Sequence, residues 1–127
     1  MSEALIHDNT LCKPFVMWFT GLPSSGKSTL ARAMTYWLNS LGAKVEHLDG
    51  DEVRSVFPQT GFSRDERNMH LKRIGFLAQR LERNGIAVVC SFVSPYAESR
   101  NDVRSMCCNF IEVYVEATLA ECERRDV

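Results

Sequence analysis

Between an apolar run, Phe15 to Phe19, and an amphipathic stretch that starts at Lys27, the chain reads Gly21-Leu-Pro-Ser-Ser-Gly-Lys-Ser28. This is the complete pattern G-x-x-x-x-G-K-[ST]. It constrains the fold because its chemistry works only inside a strand–loop–helix unit. Consecutive backbone N–H groups of such a loop point inward and form a concavity for a di- or triphosphate. Gly21 and Gly26 allow the turn and a close backbone approach. Leu22, Pro23, Ser24 and Ser25 supply the rest of the loop. Lys27 places a cation on the β- and γ-phosphates, the Ser28 hydroxyl can ligate Mg²⁺, and Thr29 extends the site into the helix. A Gly/Ser turn that happens to contain lysine is the plain alternative, and the flanking strand and helix argue against it.

The rest of the chain alternates strand and helix signals, which predicts an α/β fold with a parallel sheet. Strands are expected at 15–20, 44–48, 86–92 and 110–115. The first helix is expected over 27–41, with Leu30, Met34, Trp37, Leu38 and Leu41 on its buried face and Gly42 as its stop. A long helix is expected over 64–84. Ser63 and Glu66 form its capping box, Leu71, Ile74, Leu77, Ala78 and Leu81 its buried stripe, and Gly85 its end. The run 86–92 is apolar nearly throughout, as a central parallel strand requires. Ser94-Pro95 is expected to open the next helix with proline at its first position. Thr118 and Glu121 form a capping box for a last helix. There is no internal repeat, low-complexity tract or linker.

Composition narrows the function. A chain of 127 residues supports one domain, and its net charge of -1 carries no electrostatic footprint for nucleic acid or a membrane surface. No apolar run approaches the length of a transmembrane helix. The first residues, Met1 to Lys13, contain Glu3 and Asp8 and no apolar core, so they do not read as a signal peptide. The five cysteines are odd in number and lack metal spacing. Cys90 reads as a small buried hydrophobe, and Cys107 and Cys108 as reduced thiols. A cytoplasmic location is expected.

Two further clusters point to chemistry. Asp49 and Asp51 follow the second strand, and ligands of open α/β sheets bind at the carboxyl ends of strands. An acid there can accept a proton from an attacking hydroxyl or hold Mg²⁺ through water. Asp51 can equally cap a short helix beginning at Glu52. Arg54, Arg64, Arg67, Lys72 and Arg73 follow. A solvated helix face is the usual meaning of such charges. Arg67, however, lies near the positive end of its helix, which suggests an anionic partner.

The segments Gly21-Leu-Pro-Ser-Ser-Gly-Lys-Ser-Thr29, Leu48-Asp-Gly-Asp-Glu-Val-Arg54, Gly61-Phe-Ser63, Ser91-Phe-Val-Ser-Pro-Tyr96 and Phe110-Ile-Glu-Val-Tyr-Val115 together resemble adenylylsulfate kinase, from about Lys13 to Val127. The D-G-D-x-V-R and F-[IV]-S-P elements are more specific than the phosphate loop. The resemblance implies transfer of the γ-phosphoryl group of ATP, with Mg²⁺, to the 3′-hydroxyl of adenosine 5′-phosphosulfate. It implies that Lys27 and Ser28 serve phosphate and metal and that Asp51 takes the hydroxyl proton; Asp49, from its place at the strand end, is expected to hold the metal with Ser28. It further implies that Arg54 and Arg67 bind the acceptor, that Phe62 stacks on its adenine, and that Phe92, Val93 and Ser94 wall its site. Ser94 also matches a serine that becomes phosphorylated in some members; a helix N-cap is its plainer role. His70 stands where many members have Asn, and imidazole can still donate a hydrogen bond there.

The family continues past the equivalent of Val127 into a lysine-bearing lid, K-G-L-Y, and an F-T-G-I-D-x-P-Y-E segment. The expectation is therefore an extension at 1–13 and a P-loop kinase domain at 14–127 that lacks its last strand and helix. The fourth strand would then be an uncovered edge, with Phe110, Val113 and Val115 partly exposed. Poor nucleotide binding and self-association are expected of this chain, and a homodimer of a longer one. Two other readings are open: another small-molecule P-loop kinase, and a lidless module that binds nucleotide without catalysis.

Overall fold

A computed structural model describes residues 13–22, 25–57, 61, 63–94 and 96–116. Four strands, β1 (Val16–Thr20), β2 (Val45–Asp49), β3 (Ala87–Ser91) and β4 (Phe110–Tyr114), alternate with four helices. The helices are α1 (Lys27–Ser40), α2 (Gly50–Val56), α3 (Arg64–Arg83) and α4 (Ala97–Met106). The strands form one sheet in the order β2-β3-β1-β4, parallel throughout. The chain leaves β1 for β2 on one side and later fills β4 on the other. The carboxyl ends of β1 and β3 thus form the topological switch point, where open sheets bind ligands.

The two faces of the sheet bury different partners, because alternate residues of a strand point to opposite sides. Val16, Trp18, Val88, Cys90 and Phe92 pack on one face with Leu71, Ile74 and Ala78 of α3 and Val103 of α4. Phe19, Val89 and Val115 pack on the other with Ala31 and Leu38 of α1. Cys90 is fully buried, which pushes its thiol pKa well up, and Cys107 is pushed up to about 12 by burial and by Glu82. Cys90, Cys107 and Cys108 are all free thiols.

Glycine makes the α3–α4 contact close. A Cβ on Gly75 would stand 3.0 Å from Met106 Sδ and 3.1 Å from a Val103 methyl. The Ser63–Glu66 capping box is present at the start of α3.

Several local expectations are corrected. In α1 the buried line is Lys27, Ala31 and Leu38, while Leu30, Trp37 and Leu41 are 48%, 55% and 37% exposed. At 3.6 residues per turn those three lie roughly 80–120° round the helix from Ala31, so the sheet meets the neighbouring stripe instead. In α3 Leu77 is exposed, and the buried line includes His70, Gly75 and Glu82. The helix after β2 is capped by Asp49, not Asp51. Ser94 does not open α4, which begins at Ala97 with Tyr96 at the N-cap; Pro95 lies outside the described residues. Among the described residues β4 is an edge strand, and Phe110 and Val113 are half-buried as expected, but Val115 is buried because it packs with Phe19. The capping box expected at Thr118 and Glu121 lies outside the described residues.

Candidate active site

The phosphate loop joins β1 to α1 at the switch point. A Cβ on Gly21 would lie 2.7 Å from the Val115 carbonyl and 3.0 Å from Ser25 Oγ, so the chain passes too close for any larger residue. Gly26 takes a left-handed φ of 101° at the N-cap of α1. No side chain caps this helix, and its first turn holds no acid. Its leading N–H groups therefore suit an external anion. Lys27 is largely buried, and its Nζ donates to the Leu22 carbonyl at 3.1 Å, which lays the cation back across the loop. Pro23 and Ser24 lie outside the described residues. Thr29 is exposed.

Asp49 is the hub of the site. It ends β2 in register with Ser91 at the end of β3. Its Oδ1 accepts from Ser28 Oγ and from Ser91 Oγ, each at 3.0 Å. Its Oδ2 accepts from the backbone N–H of Asp51 at 3.2 Å and of Glu52 at 3.4 Å. Burial alone would raise this carboxyl's pKa, but the bonds from Ser28, Ser91 and Glu52 together outweigh it and hold the pKa below its ordinary value. His47 Nε2 lies 3.2 Å from Ser91 Oγ. The Ser91 proton is committed to Asp49, so His47 is the donor in that contact. Burial keeps the His47 pKa low, against the pull of Asp49.

Ser91 and His47 were not legible as site residues. The signal exists only once β2 and β3 are paired, because Ser91 then falls opposite Asp49. The same pairing explains Gly50. A Cβ there would sit 3.2 Å from the Ser91 carbonyl and 3.4 Å from the Phe92 ring, so D-G-D seats α2 directly on the end of β3.

The expected acceptor residues converge. Asp51, Arg54, Arg67, His70, Phe92 and Val93 line one cavity of about 90 Å³, floored by Gly50 and Leu71. That space suits several waters or one tetrahedral oxyanion, not a whole nucleotide. The Phe92 ring stacks on Trp18 at 5.2 Å and meets His70 edge-on at 6.3 Å. Phe62 lies outside the described residues. Arg64 is not part of the cavity: it pairs with Glu98 at 2.5 Å and covers the Tyr96 ring at 4.4 Å, as a surface cation does.

Ser94 departs from its expected place. It is 1% exposed and lines a second cavity, of about 300 Å³, with Thr20, Leu22, Val93, Arg100 and Tyr114. Its Oγ accepts from Trp18 Nε1 at 3.1 Å and lies 2.8 Å from Thr20 Oγ1. Its carbonyl accepts from Arg100 Nη1 at 2.5 Å, and Arg100 in turn pairs with Glu112 at 3.1 Å. In this conformation the hydroxyl is a buried strut between β1 and the segment after β3.

The family model described as Adenylylsulphate kinase matches residues 13–127. A probable adenylyl-sulfate kinase of Pseudomonas aeruginosa is 48% identical over 114 residues, covering 89% of this chain and 53% of that protein. One of Aeropyrum pernix is 49% identical over 119 residues, covering 90% of this chain and 65% of that protein. The chain thus spans between half and two thirds of these relatives. A solved APS kinase of Mycobacterium tuberculosis, in complex with AMPPNP and APS, superposes with a TM-score of 0.85 at 35% identity, covering 90% of this chain and 69% of that one.

Proposed function

The chain belongs to the adenylylsulfate kinase family, and from that premise we propose that it transfers the γ-phosphoryl group of ATP to the 3′-hydroxyl of adenosine 5′-phosphosulfate. The observation that carries this reading is the adjacency of two half-sites. Ser28 of the phosphate loop bonds Asp49 at the N-cap of α2, and Asp51 and Arg54 of that same helix line the cavity with Arg67 and His70. A phosphoryl donor and a hydroxyl acceptor need that juxtaposition.

Lys27 and the N-terminus of α1 hold the β- and γ-phosphates. Asp51 receives the 3′-hydroxyl proton as that oxygen attacks the γ-phosphorus and the β–γ bridging bond breaks, with ADP as leaving group. Arg54 and Arg67 hold the phosphosulfate charges, Phe62 stacks on the acceptor's adenine, and Phe92 and Val93 wall its site. Ser28 Oγ and Asp49 Oδ1, hard oxygens 3.0 Å apart, fit Mg²⁺ and would be the residues that hold it. When bound, the ion would supply positive charge to offset that of the phosphates.

Among the described residues no helix is long and apolar enough to cross a membrane. We read the protein as a cytoplasmic enzyme without a nucleic-acid partner, and its longer form as a homodimer. The test is formation of 3′-phosphoadenosine 5′-phosphosulfate from ATP and adenylylsulfate, by this chain and by a form extended past Val127, beside a panel of sugar-acid and antibiotic acceptors. Turnover of adenylylsulfate alone supports the reading. Turnover of another acceptor, or nucleotide binding without transfer by either form, sinks it.

A further inference from the structure

His70 is 5% exposed, and among the described residues neither Nδ1 nor Nε2 has a hydrogen-bond partner. A hydrogen-bonding group stripped of water without a partner is costly, and at a functional site the partner is supplied by what binds there. The imidazole lines the 90 Å³ cavity, and three elements face it. From α2 come Asp51 and Arg54, from α3 come Arg67 and Arg73, and the Phe92 ring closes the end of β3. Among the described residues guanidiniums outnumber carboxylates around the ring, and the space suits an oxyanion.

Burial, reinforced by Arg54 and Arg73, holds the imidazole below its ordinary pKa of 6.5, so it is neutral at neutral pH. A neutral imidazole has one N–H donor and one bare nitrogen. An oxyanion offers only acceptors, so the bare nitrogen would meet it lone pair to lone pair. Protonation removes that conflict and turns both nitrogens into donors. The entering negative charge also offsets Arg54 and favours the imidazolium.

We infer that His70 takes up a proton from solvent when a phosphosulfate-bearing ligand enters this cavity, so that acceptor binding by this chain is coupled to protonation of a residue outside the phosphoryl-transfer chemistry. The inference rests on the reading of the cavity as the adenylylsulfate site. Its consequence is directional. Between the ligand-free and ligand-bound pKa values of His70, affinity falls as pH rises, by up to about tenfold per pH unit. Asparagine at this position offers a donor and an acceptor with no proton exchange.

The experiment is calorimetric titration of the whole chain with adenylylsulfate at pH 7, in two buffers of different ionisation enthalpy. The expected result is net proton uptake by the native chain and none by His70→Asn, which still binds. The chain has three histidines. The imidazole resonance missing from the variant identifies His70, and its titration midpoint must move up when ligand is added. Heat independent of buffer, or equal uptake by the variant, overturns the inference while the substrate reading stands. Absence of adenylylsulfate binding, with ADP still bound, overturns both.

Discussion

At the scale of single residues, Asp49 and Asp51 look interchangeable in the sequence and do different work. Asp49 is bonded through both carboxylate oxygens, to Ser28, Ser91 and two backbone N–H groups. Asp51 gives its backbone N–H to Asp49 and lines the 90 Å³ cavity. Asp49→Asn keeps the cap, since asparagine caps as well as aspartate, but removes the charge beside Ser28. The expected result is an intact fold and loss of the Mg²⁺-dependent part of ADP affinity, about 1.5–3 kcal/mol, the range for a charge-assisted hydrogen bond. Calorimetry with and without Mg²⁺ reads it; an unchanged Mg²⁺ increment would move the metal elsewhere. Asp51→Asn, by contrast, is expected to spare nucleotide binding and lower kcat by ~10²–10⁴-fold in an active form, the usual loss for a general base. Near-normal turnover would place the base at another residue.

Helices and strands meet at points where one side chain decides the contact. Glu82 is 3% exposed on α3, yet it carries a carboxylate. That carboxylate accepts the backbone N–H groups of Cys108 and Asn109, both at 2.8 Å, and so ties α3 to the turn that starts β4. Glu82→Leu leaves two N–H groups without their acceptor, and a loss of about 1–3 kcal/mol is expected. Urea unfolding followed through Trp18, which is fully buried against Phe92, measures it. A neutral effect would show that water reaches those groups. Gly75→Val pushes a branched side chain into Met106 and Val103, and overpacking of this kind typically costs about 1–3 kcal/mol. If that variant unfolds at the native urea midpoint, α3 and α4 are separable.

Over the whole molecule, titration sets the pH range of stability. His47 and His70 both have folded pKa values below 6.5, chiefly through burial. The unfolded chain therefore binds more protons than the folded one as pH drops through 6.5, and stability declines from there toward the folded values. Asp49, also lowered from its ordinary 3.8, adds a second loss at more acid pH. The expected profile is a stability plateau above about pH 7 and a fall that begins near pH 6.5. His70→Asn should flatten the first part of that fall. A profile flat down to pH 5 would mean that both imidazoles protonate without cost in the folded state.

What could be read from the chain alone depended on local physics. The phosphate loop, the alternation of strand and helix and the Ser63–Glu66 capping box follow from short-range patterns that carry their own geometry. The convergence of the D-G-D turn with Arg54 and Arg67 was legible only through the family resemblance, because Arg67 stands on a separate helix, α3. Tertiary structure decided what depends on contact between distant segments. It chose which stripe of α1 meets the sheet, because Leu30 and Leu38 are equally apolar and only the packing angle separates them. It placed Ser91 against Asp49, 42 residues apart in the chain, through strand register. It put Ser94 under Trp18 rather than at a helix cap, and it buried Glu82 and His70, whose polarity alone reads as surface. Polarity is a property of one residue. Burial of that residue belongs to the segments that come to lie over it.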